Sequence, residues 1–421
     1  MLRRKLLLGT TGASLGLFPV GRGTWAVAGE QPASAQRRLI VVFLRGAADG
    51  LSIVVPYADP GYYQARSSIA LAPPGTDGGA IDLDRRFGLH PALGSLMPLW
   101  TSGKLGFVHA SGSPDPTRSH FDAQDYMESA TPGRKNTQDG WLNRLIGALP
   151  LPAGGPTTPN RALSIGAVLP RIYAGNNQVA NIASGTAATR PTQLDRSVVS
   201  QAFDKLYSAD DSMSRAYKAA QQSRREVMGS MGPNELEREM TAANNGAPLP
   251  HGFPNDAVRL ATLMRNDSRI QLAFMEVGGW DTHANQGGVN GQLANRLGPL
   301  GRGLAALATR LGPVFDETVV LVMSEFGRTV RQNGNNGTDH GHGNVMWMLG
   351  GQVNGGKVLG RWPGLESNAL FEGRDLAVTT DFRVVLAEVL ERHLLLSDSR
   401  LDEVLPQFEL NRKSSLGLIR A

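Results

Sequence analysis

Thr318-Val319-Val320-Leu321-Val322-Met323, followed at once by Ser324-Glu325-Phe326-Gly327-Arg328-Thr329, is the stretch that decides the fold. A continuous run of apolar and β-branched residues, without polar alternation, predicts a strand buried on both faces, as in a parallel sheet covered by helices. Where such a strand ends, an open α/β sheet presents its ligand-binding edge. The loop beyond it runs on to Asp339-His340-Gly341-His342-Gly343. Working outward, the same design recurs twice. Arg38 to Leu44, with Leu39-Ile40-Val41-Val42-Phe43-Leu44 as its core, stops abruptly at Gly46-Ala47-Ala48-Asp49-Gly50. Ile270 to Val277 runs into Gly278-Gly279-Trp280-Asp281-Thr282-His283. Further strands are expected at Leu105 to Ala110, Leu163 to Val168 and Val345 to Leu349. Helices are expected over Leu93 to Trp100, Phe121 to Ser129, Gly291 to Leu311 and Asp381 to Leu395. This alternation predicts an α/β fold with a mostly parallel sheet covered on both faces. Residues 195–230 are polar and helix-favouring, and Met231 to Pro254 is rich in Gly, Pro, Asn and Glu. Residues 185–255 therefore read as a peripheral helical insertion or lid. No internal repeat is evident.

The chain opens Arg3-Arg4-Lys5-Leu6-Leu7-Leu8, continues through a mildly apolar stretch to about Val20, and reaches Ala26-Val27-Ala28 before Gly29. A charged start, an apolar middle and a small-x-small site predict a secretory signal peptide over residues 1–28. The paired arginines and moderate hydrophobicity of Gly9 to Gly21 point to the twin-arginine route, with the twin-arginine translocase as partner during export. The product is then periplasmic or secreted. The apolar run is broken by glycines and too short for a stable membrane span. Cleavage after Ala28 leaves 393 residues, 29–421, as one α/β domain opening with a disordered lead-in over 29–37. The formal charge of +5 includes Arg3, Arg4, Lys5 and Arg22, so the mature chain is near +1. Bulk electrostatics thus give no support to nucleic-acid binding. Cysteine is absent, which excludes disulfides, thiolate ligands and a cysteine nucleophile. At 41% hydrophobic residues, a chain of this length can be held by its core alone.

Of the eight histidines, His90, His109, His120, His283, His340 and His342 fall in or beside strand-end loops. His90, His109, His251 and His393 read as hydrogen-bonded structural residues. Asp281 with His283, and Asp339 with His340 and His342, are more densely grouped. Imidazole and carboxylate together are the donors that zinc, iron or manganese accept. These residues are candidate ligands of one shared divalent metal; the bland alternative is a glycine-rich loop held by hydrogen bonds from Asp and His to its backbone. Asp49 closes the first strand, where it reaches a metal or caps the next helix. Glu325 ends its own strand and points into the same crevice. Arg328 is placed either to clamp an anion or to form a surface salt bridge. Thr117 and Ser119, in the loop Ser111 to His120, precede a helix start. A hydroxyl there is either a nucleophile or an N-cap, and the adjacent His120 is a further ligand or an acid/base partner.

These residues also carry a resemblance. Phe43-Leu44-Arg45-Gly46-Ala47-Ala48-Asp49-Gly50, Thr117-Arg118-Ser119-His120-Phe121-Asp122-Ala123-Gln124, Gly279-Trp280-Asp281-Thr282-His283, Ser324 to Thr329 and Asp339 to Gly343 together resemble the exported bacterial family of domain of unknown function 1501. The likeness spans nearly the whole mature chain and includes the leader. That family is similar, more remotely, to the alkaline phosphatase and sulfatase superfamily. The resemblance implies a three-layer α/β sandwich with one or two divalent metals at the carboxyl ends of its strands. It matches Asp49 to the first-strand metal aspartate, Thr117 or Ser119 to the nucleophile, and Asp281 with His283 to the pair on one metal. Glu325 matches the carboxylate after the later strand, with Asp339, His340 and His342 as remaining ligands. Phe326 stands where a histidine usually follows that carboxylate, and the Asp281 to His283 spacing is shorter than in the phosphatases. The expected function is an exported, metal-dependent hydrolase of a phosphate or sulfate ester, zinc being one candidate metal. Its substrate is a small-molecule or glycan anionic ester, whose charged oxygens Arg118 and Arg328 hold. One alternative is a non-catalytic protein that keeps the fold and binds a glycan or a partner protein. A metal-dependent enzyme of different chemistry in the same crevice is the other.

Overall fold

The computed structural model describes residues 36–150, 161–184, 242–410 and 415–420 in full, and residues 15–20 and 24–29 by their backbone. Leu15–Val20 and Thr24–Gly29 pair as antiparallel strands within a unit formed by Met1–Arg37. Apart from the backbone of residues 15–20 and 24–29 and from residues 36–37, the signal peptide expected over 1–28 and the lead-in after it lie outside the described residues, as does the insertion expected over 185–255 as far as residue 241.

The body, Arg38–Ala421, is built on a nine-stranded sheet. Its strands are β1 (Arg38–Leu44), β2 (Leu105–Gly112), β3 (Ala162–Ile165), β4 (Ala180–Ile182), β5 (Leu272–Val277), β6 (Thr318–Ser324), β7 (Asn344–Gly350), β8 (Val358–Leu359) and β9 (Thr380–Asp381). Their order across the sheet is β8-β2-β7-β6-β1-β5-β3-β4, and β9 also pairs with β2. Every pairing is parallel except those of β7, which runs antiparallel to β6 and β2. The reversal has a local cause. A parallel return needs a crossover, usually a helix, to carry the chain back, whereas the glycine-rich link from β6 to β7 holds no helix.

The three layers follow from side-chain alternation. On β1, Ile40, Val42 and Leu44 face a core shared with α3 (Phe253–Asn266) and α4 (Gln292–Leu311). Leu39, Val41 and Phe43 face the opposite core, with α2 (Trp141–Ala148) and α5 (Phe382–Glu388). Burial on both sides is what the uninterrupted apolar runs demand. The helix expected from Leu93 to Trp100 forms in two pieces, a 3₁₀ segment Pro91–Leu96 and a short α-helix Met97–Thr101. The closing helix stops being regular at Glu388 and continues as a wider turn, Val389–His393. A small antiparallel sheet of Val54–Val55, Gly88–Leu89 and Ile81–Asp82 stands apart from the main one. Among the described residues, no helix is long and apolar enough to cross a membrane.

Candidate metal centre

Strand register brings the chemistry together. β1 lies between β5 and β6, with Leu44 level with Val277 on one side and Ser324 on the other. The segments Arg45–Gly50, Gly278–His283 and Glu325–His342 therefore leave the sheet from one edge. Two glycines make their close approach feasible. At Gly46 (φ +111) a Cβ would lie 2.7 Å from the Asp281 amide, and at Gly327 it would lie 1.8 Å from the Gly343 carbonyl. A fourth contributor is α1 (His120–Ser129), whose first residue points at the same place. Ser119 caps it, accepting from the Asp122 N–H at 3.4 Å.

Three imidazoles converge there, each fixed at its far nitrogen. His120 Nδ1 lies 2.8 Å from Glu325 Oε1, His340 Nδ1 2.9 Å from the Arg118 carbonyl, and His283 Nδ1 3.1 Å from Asp339 Oδ1. Each acceptor can only receive a proton, so each Nδ1 carries the hydrogen, and the neutral ring then presents the lone pair of Nε2. Those lone pairs face one another: His120 Nε2 and His283 Nε2 each sit 2.9 Å from His340 Nε2. The buried Asp281 carboxylate closes the group, 3.0 Å from His283 Nε2 and 3.6 Å from His120 Nε2. Its Oδ1 also receives the Arg328 guanidinium, while its Oδ2 is buried with no hydrogen-bond partner. Ligand atoms of His120, Asp281 and His340 all lie within 4.8 Å of one another.

Opposed lone pairs and an orphaned carboxylate oxygen call for a cation between them. The electrostatics favour positive charge at this point, whether carried by an ion or, without one, by the imidazoles of His120 and His283, whose charged forms Asp281 favours against their burial. Burial opposes charging His120, but its hydrogen bonds to Asp281 and Glu325 prevail and push its pKa up to about 9. Burial likewise works against Glu325, yet contacts from His120 and Gln124 hold it down at about 2. Asp281 stays far below the ordinary carboxylate range against its burial, because His120, His283, His340 and Arg328 surround it. Burial lowers the pKa of His340, which favours its neutral, ligating form.

The structure gathers six of the residues singled out from sequence: His120, Asp281, His283, Glu325, Asp339 and His340. Glu325 and Asp339 touch the histidines rather than the central point. Glu325 Oε1 also accepts from the Gly46 N–H at 2.8 Å and Gln124 Nε2 at 2.9 Å, so that oxygen is fully engaged. His342 lies instead against Phe371, with ring centroids 4.5 Å apart. Asp49 is completely buried, gripped by Arg66 at 2.5 and 3.0 Å and by Gln286 at 2.6 Å. Its side chain makes no capping bond to the following helix. Arg328 is buried and bonded to Asp281 and to the carbonyls of Ala47, Thr338 and Trp280. Arg118 pairs with Asp375 and Glu372, both at 2.6 Å. Arg328 is committed to these buried acceptors, and Arg118 commits its Nε and Nη2 to the two carboxylates. Thr117 Oγ1 accepts from the Ser119 N–H at 3.3 Å. Phe326 packs beside His120 and His340 at 4.9 and 5.2 Å between ring centroids, an apolar wall where the resemblance calls for a histidine.

Sequence reasoning passed over the supports behind this group. Arg45 is buried between Glu128 at 2.8 Å and Glu276 at 2.7 Å, and also bonds Gln124 at 2.8 Å. His120, Gln124 and Glu128 are spaced by four, so one face of α1 delivers all three. That spacing, and a glutamate inside the apolar run of β5, were the available signals.

A three-layer α/β sandwich that collects imidazole and carboxylate at the carboxyl edge of its parallel strands is the class of molecule these features define. The chain belongs to the family described as protein of unknown function DUF1501, whose model matches residues 83–405. No curated protein matches it. Solved structures similar to it include a protein in the alkaline phosphatase superfamily from Vibrio parahaemolyticus, at 8% identity and a TM-score of 0.37. That match covers 78% of this chain and 63% of the other, so the chain spans less than two thirds of that protein's length. The zinc complex of the C-terminal periplasmic domain of EcEptC from Escherichia coli is similar at 10% identity, with a TM-score of 0.32 and 76% and 74% coverage. A 2-O GAG sulfatase is similar at 8% identity, with a TM-score of 0.30 and 76% and 65% coverage. These TM-scores are low, so the three-layer arrangement rests on strand order and burial.

Proposed function

We propose that this chain is an exported, metal-dependent hydrolase of a phosphate or sulfate ester. The observation that carries the metal is the convergence of three Nε2 atoms on the Asp281 carboxylate, His283 and His340 beside its Oδ1 and His120 beside its unpartnered Oδ2, with every Nδ1 anchored. Ligating histidines characteristically donate their other nitrogen to a carboxylate or carbonyl. His120, His283, His340 and Asp281 are the ligands, a nitrogen-rich set that suits zinc. Glu325 and Asp339 orient the imidazoles and raise their basicity. A divalent ion held there supplies Lewis acidity, lowering the pKa of a water or hydroxyl and offsetting charge on the ester oxygens. Phe326 excludes water from one side of the imidazoles. The hydroxyl candidates remain Thr117 and Ser119, which flank Arg118 at the start of α1 and neighbour His120.

The reading of a non-catalytic binding protein draws on one observation of its own: both hydroxyls already accept backbone N–H groups in the local turn. Metal analysis of protein exported in its native host, followed by aryl phosphate and aryl sulfate assays, separates the two. Zinc-dependent turnover that falls in Thr117→Ala or Ser119→Ala supports a hydroxyl nucleophile. A pure cap role for Ser119 predicts instead a stability loss of about 1 kcal/mol with turnover intact. Metal-replete protein inert on a broad ester panel favours the binding protein.

A further inference from the structure

The arginines around the strand ends are matched to carboxylates with one exception. Arg45 meets Glu128 and Glu276, Arg66 meets Asp49, Arg118 meets Asp375 and Glu372, and Arg328 meets Asp281. Arg296, on the second turn of α4, is different. Its Nη2 donates to Gln292 Oε1 at 3.0 Å, an uncharged partner on its own helix. Its Nη1 is buried with no acceptor, and among the described residues no carboxylate lies within ion-pair distance of it. A guanidinium N–H shielded from water without a partner is costly, so its place in a fold that matches the others calls for a ligand.

Its position indicates what that ligand is. Arg296 lies along Gly279, two residues before Asp281, and a Cβ at Gly279 (φ +93) would come within 3.3 Å of its Nε. The missing side chain lets the guanidinium lie against the backbone of the loop that supplies Asp281. The neighbouring charges it feels are those of Asp281 and Arg328, and these two already neutralise each other. The residue as a whole is only half-buried, unlike Arg45, Arg66 and Arg328.

We propose that Arg296 binds a tetrahedral oxyanion, the phosphate or sulfate group of the substrate, beside the metal centre, the role that sequence assigned to Arg118 and Arg328. This rests on the ester-hydrolase reading for the identity of the substrate. The planar fork of N–H groups suits such an anion, and a charged hydrogen bond of this kind is worth a tenfold to roughly hundredfold change in affinity.

The test uses the full-length protein in two forms, stripped with a chelator and reloaded with zinc. Each is titrated calorimetrically with inorganic phosphate and with sulfate, alongside Arg296→Gln and Arg296→Lys. The stripped wild type should bind phosphate or sulfate about tenfold or more tightly than Arg296→Gln, with Arg296→Lys between them, because lysine keeps the charge and loses the fork. Zinc content and melting temperature should be unchanged. Should the glutamine variant fail to fold, the lysine variant carries the same comparison. Equal affinity in wild type and variants overturns the assignment, as does a wild type that binds neither anion in either form. Aryl ester turnover is scored separately. Turnover with phosphate affinity indifferent to Arg296 removes only this inference, whereas Arg296-dependent anion binding without turnover on any ester removes only the hydrolase reading.

Discussion

At the scale of single residues, the histidines are defined by what holds their far side. An imidazole with a free Nδ1 can rotate or change tautomer; His120, His283 and His340 are each tied to an acceptor. The double variant His283→Ala, His340→Ala should therefore lose stoichiometric zinc by elemental analysis, and retention of it would remove these residues from the centre. Glu325→Gln should keep the site but weaken zinc about tenfold to a hundredfold, since the outer partner fixes His120 and raises its basicity. Competition with a chromophoric chelator reads that shift, and an unchanged affinity would mean Glu325 serves the sheet edge alone. Much of this was legible in the sequence. Asp281, His283 and Glu325 follow apolar runs closely enough for strand ends to place them, while His340 was singled out by its grouping with Asp339 and His342. His342 and Asp49 were not separable in the same way. In a glycine-rich loop no periodicity says which way a side chain points, and nothing in sequence marks Arg66, seventeen residues on, as the partner of Asp49.

At the scale of elements, the strands were readable because burial on both faces leaves an unbroken apolar run. The helix over Gln292–Leu311 and the strand Thr318–Ser324 fall where their patterns predict. The 3₁₀ entry at Pro91–Leu96 and the wide turn at Val389–His393 were not readable, since both keep a nearly helical spacing of apolar residues. Two predictions belong here. Phe43→Ala, in the middle strand with the ring fully buried, should cost about 3–5 kcal/mol, read from urea unfolding. A loss under 1 kcal/mol would contradict the packing described. Gly327→Ala should spare the sheet but drive the β6 and β7 loops apart, because its Cβ would overlap the Gly343 carbonyl at 1.8 Å. Far-ultraviolet circular dichroism should stay native while zinc affinity falls; wild-type affinity would show that the loops adapt.

For the molecule as a whole, acid is the informative stress. His109 is fully buried, with Nε2 2.9 Å from the Val54 carbonyl, and burial pulls its pKa down to about 4. The unfolded chain, near 6.5, binds the proton more readily, so stability is complete above pH 6.5 and is lost as pH falls towards 4. The loss is on the order of 3 kcal/mol. Urea midpoints measured at pH 7 and pH 4.5 should differ accordingly, and less so in His109→Gln. A flat profile in the wild type would place His109 in contact with water. The proposed export is the other test at this scale. Replacing Arg3 and Arg4 by lysine should abolish passage by the twin-arginine route, and undiminished export through that translocase would refute the leader assignment.

The anchoring of the imidazoles bears also on how quickly the proposed metal centre would exchange an ion. Ligands that cannot turn aside must be broken away one at a time, and the slowest-held site is released through its most accessible tether. His120 leans on a wholly buried carboxylate, but Asp339, the support of His283, has 51% of its side-chain surface exposed. The sequence of departure is thus written into unequal solvent access. In the proposed zinc centre His283 would be the first ligand to leave, since its support is the one open to water, and His120, His340 and Asp281 would hold the ion meanwhile. Asp339→Ala should therefore hasten zinc release to a chelator far more than it lowers equilibrium affinity, making residence time and binding strength separately adjustable in one centre.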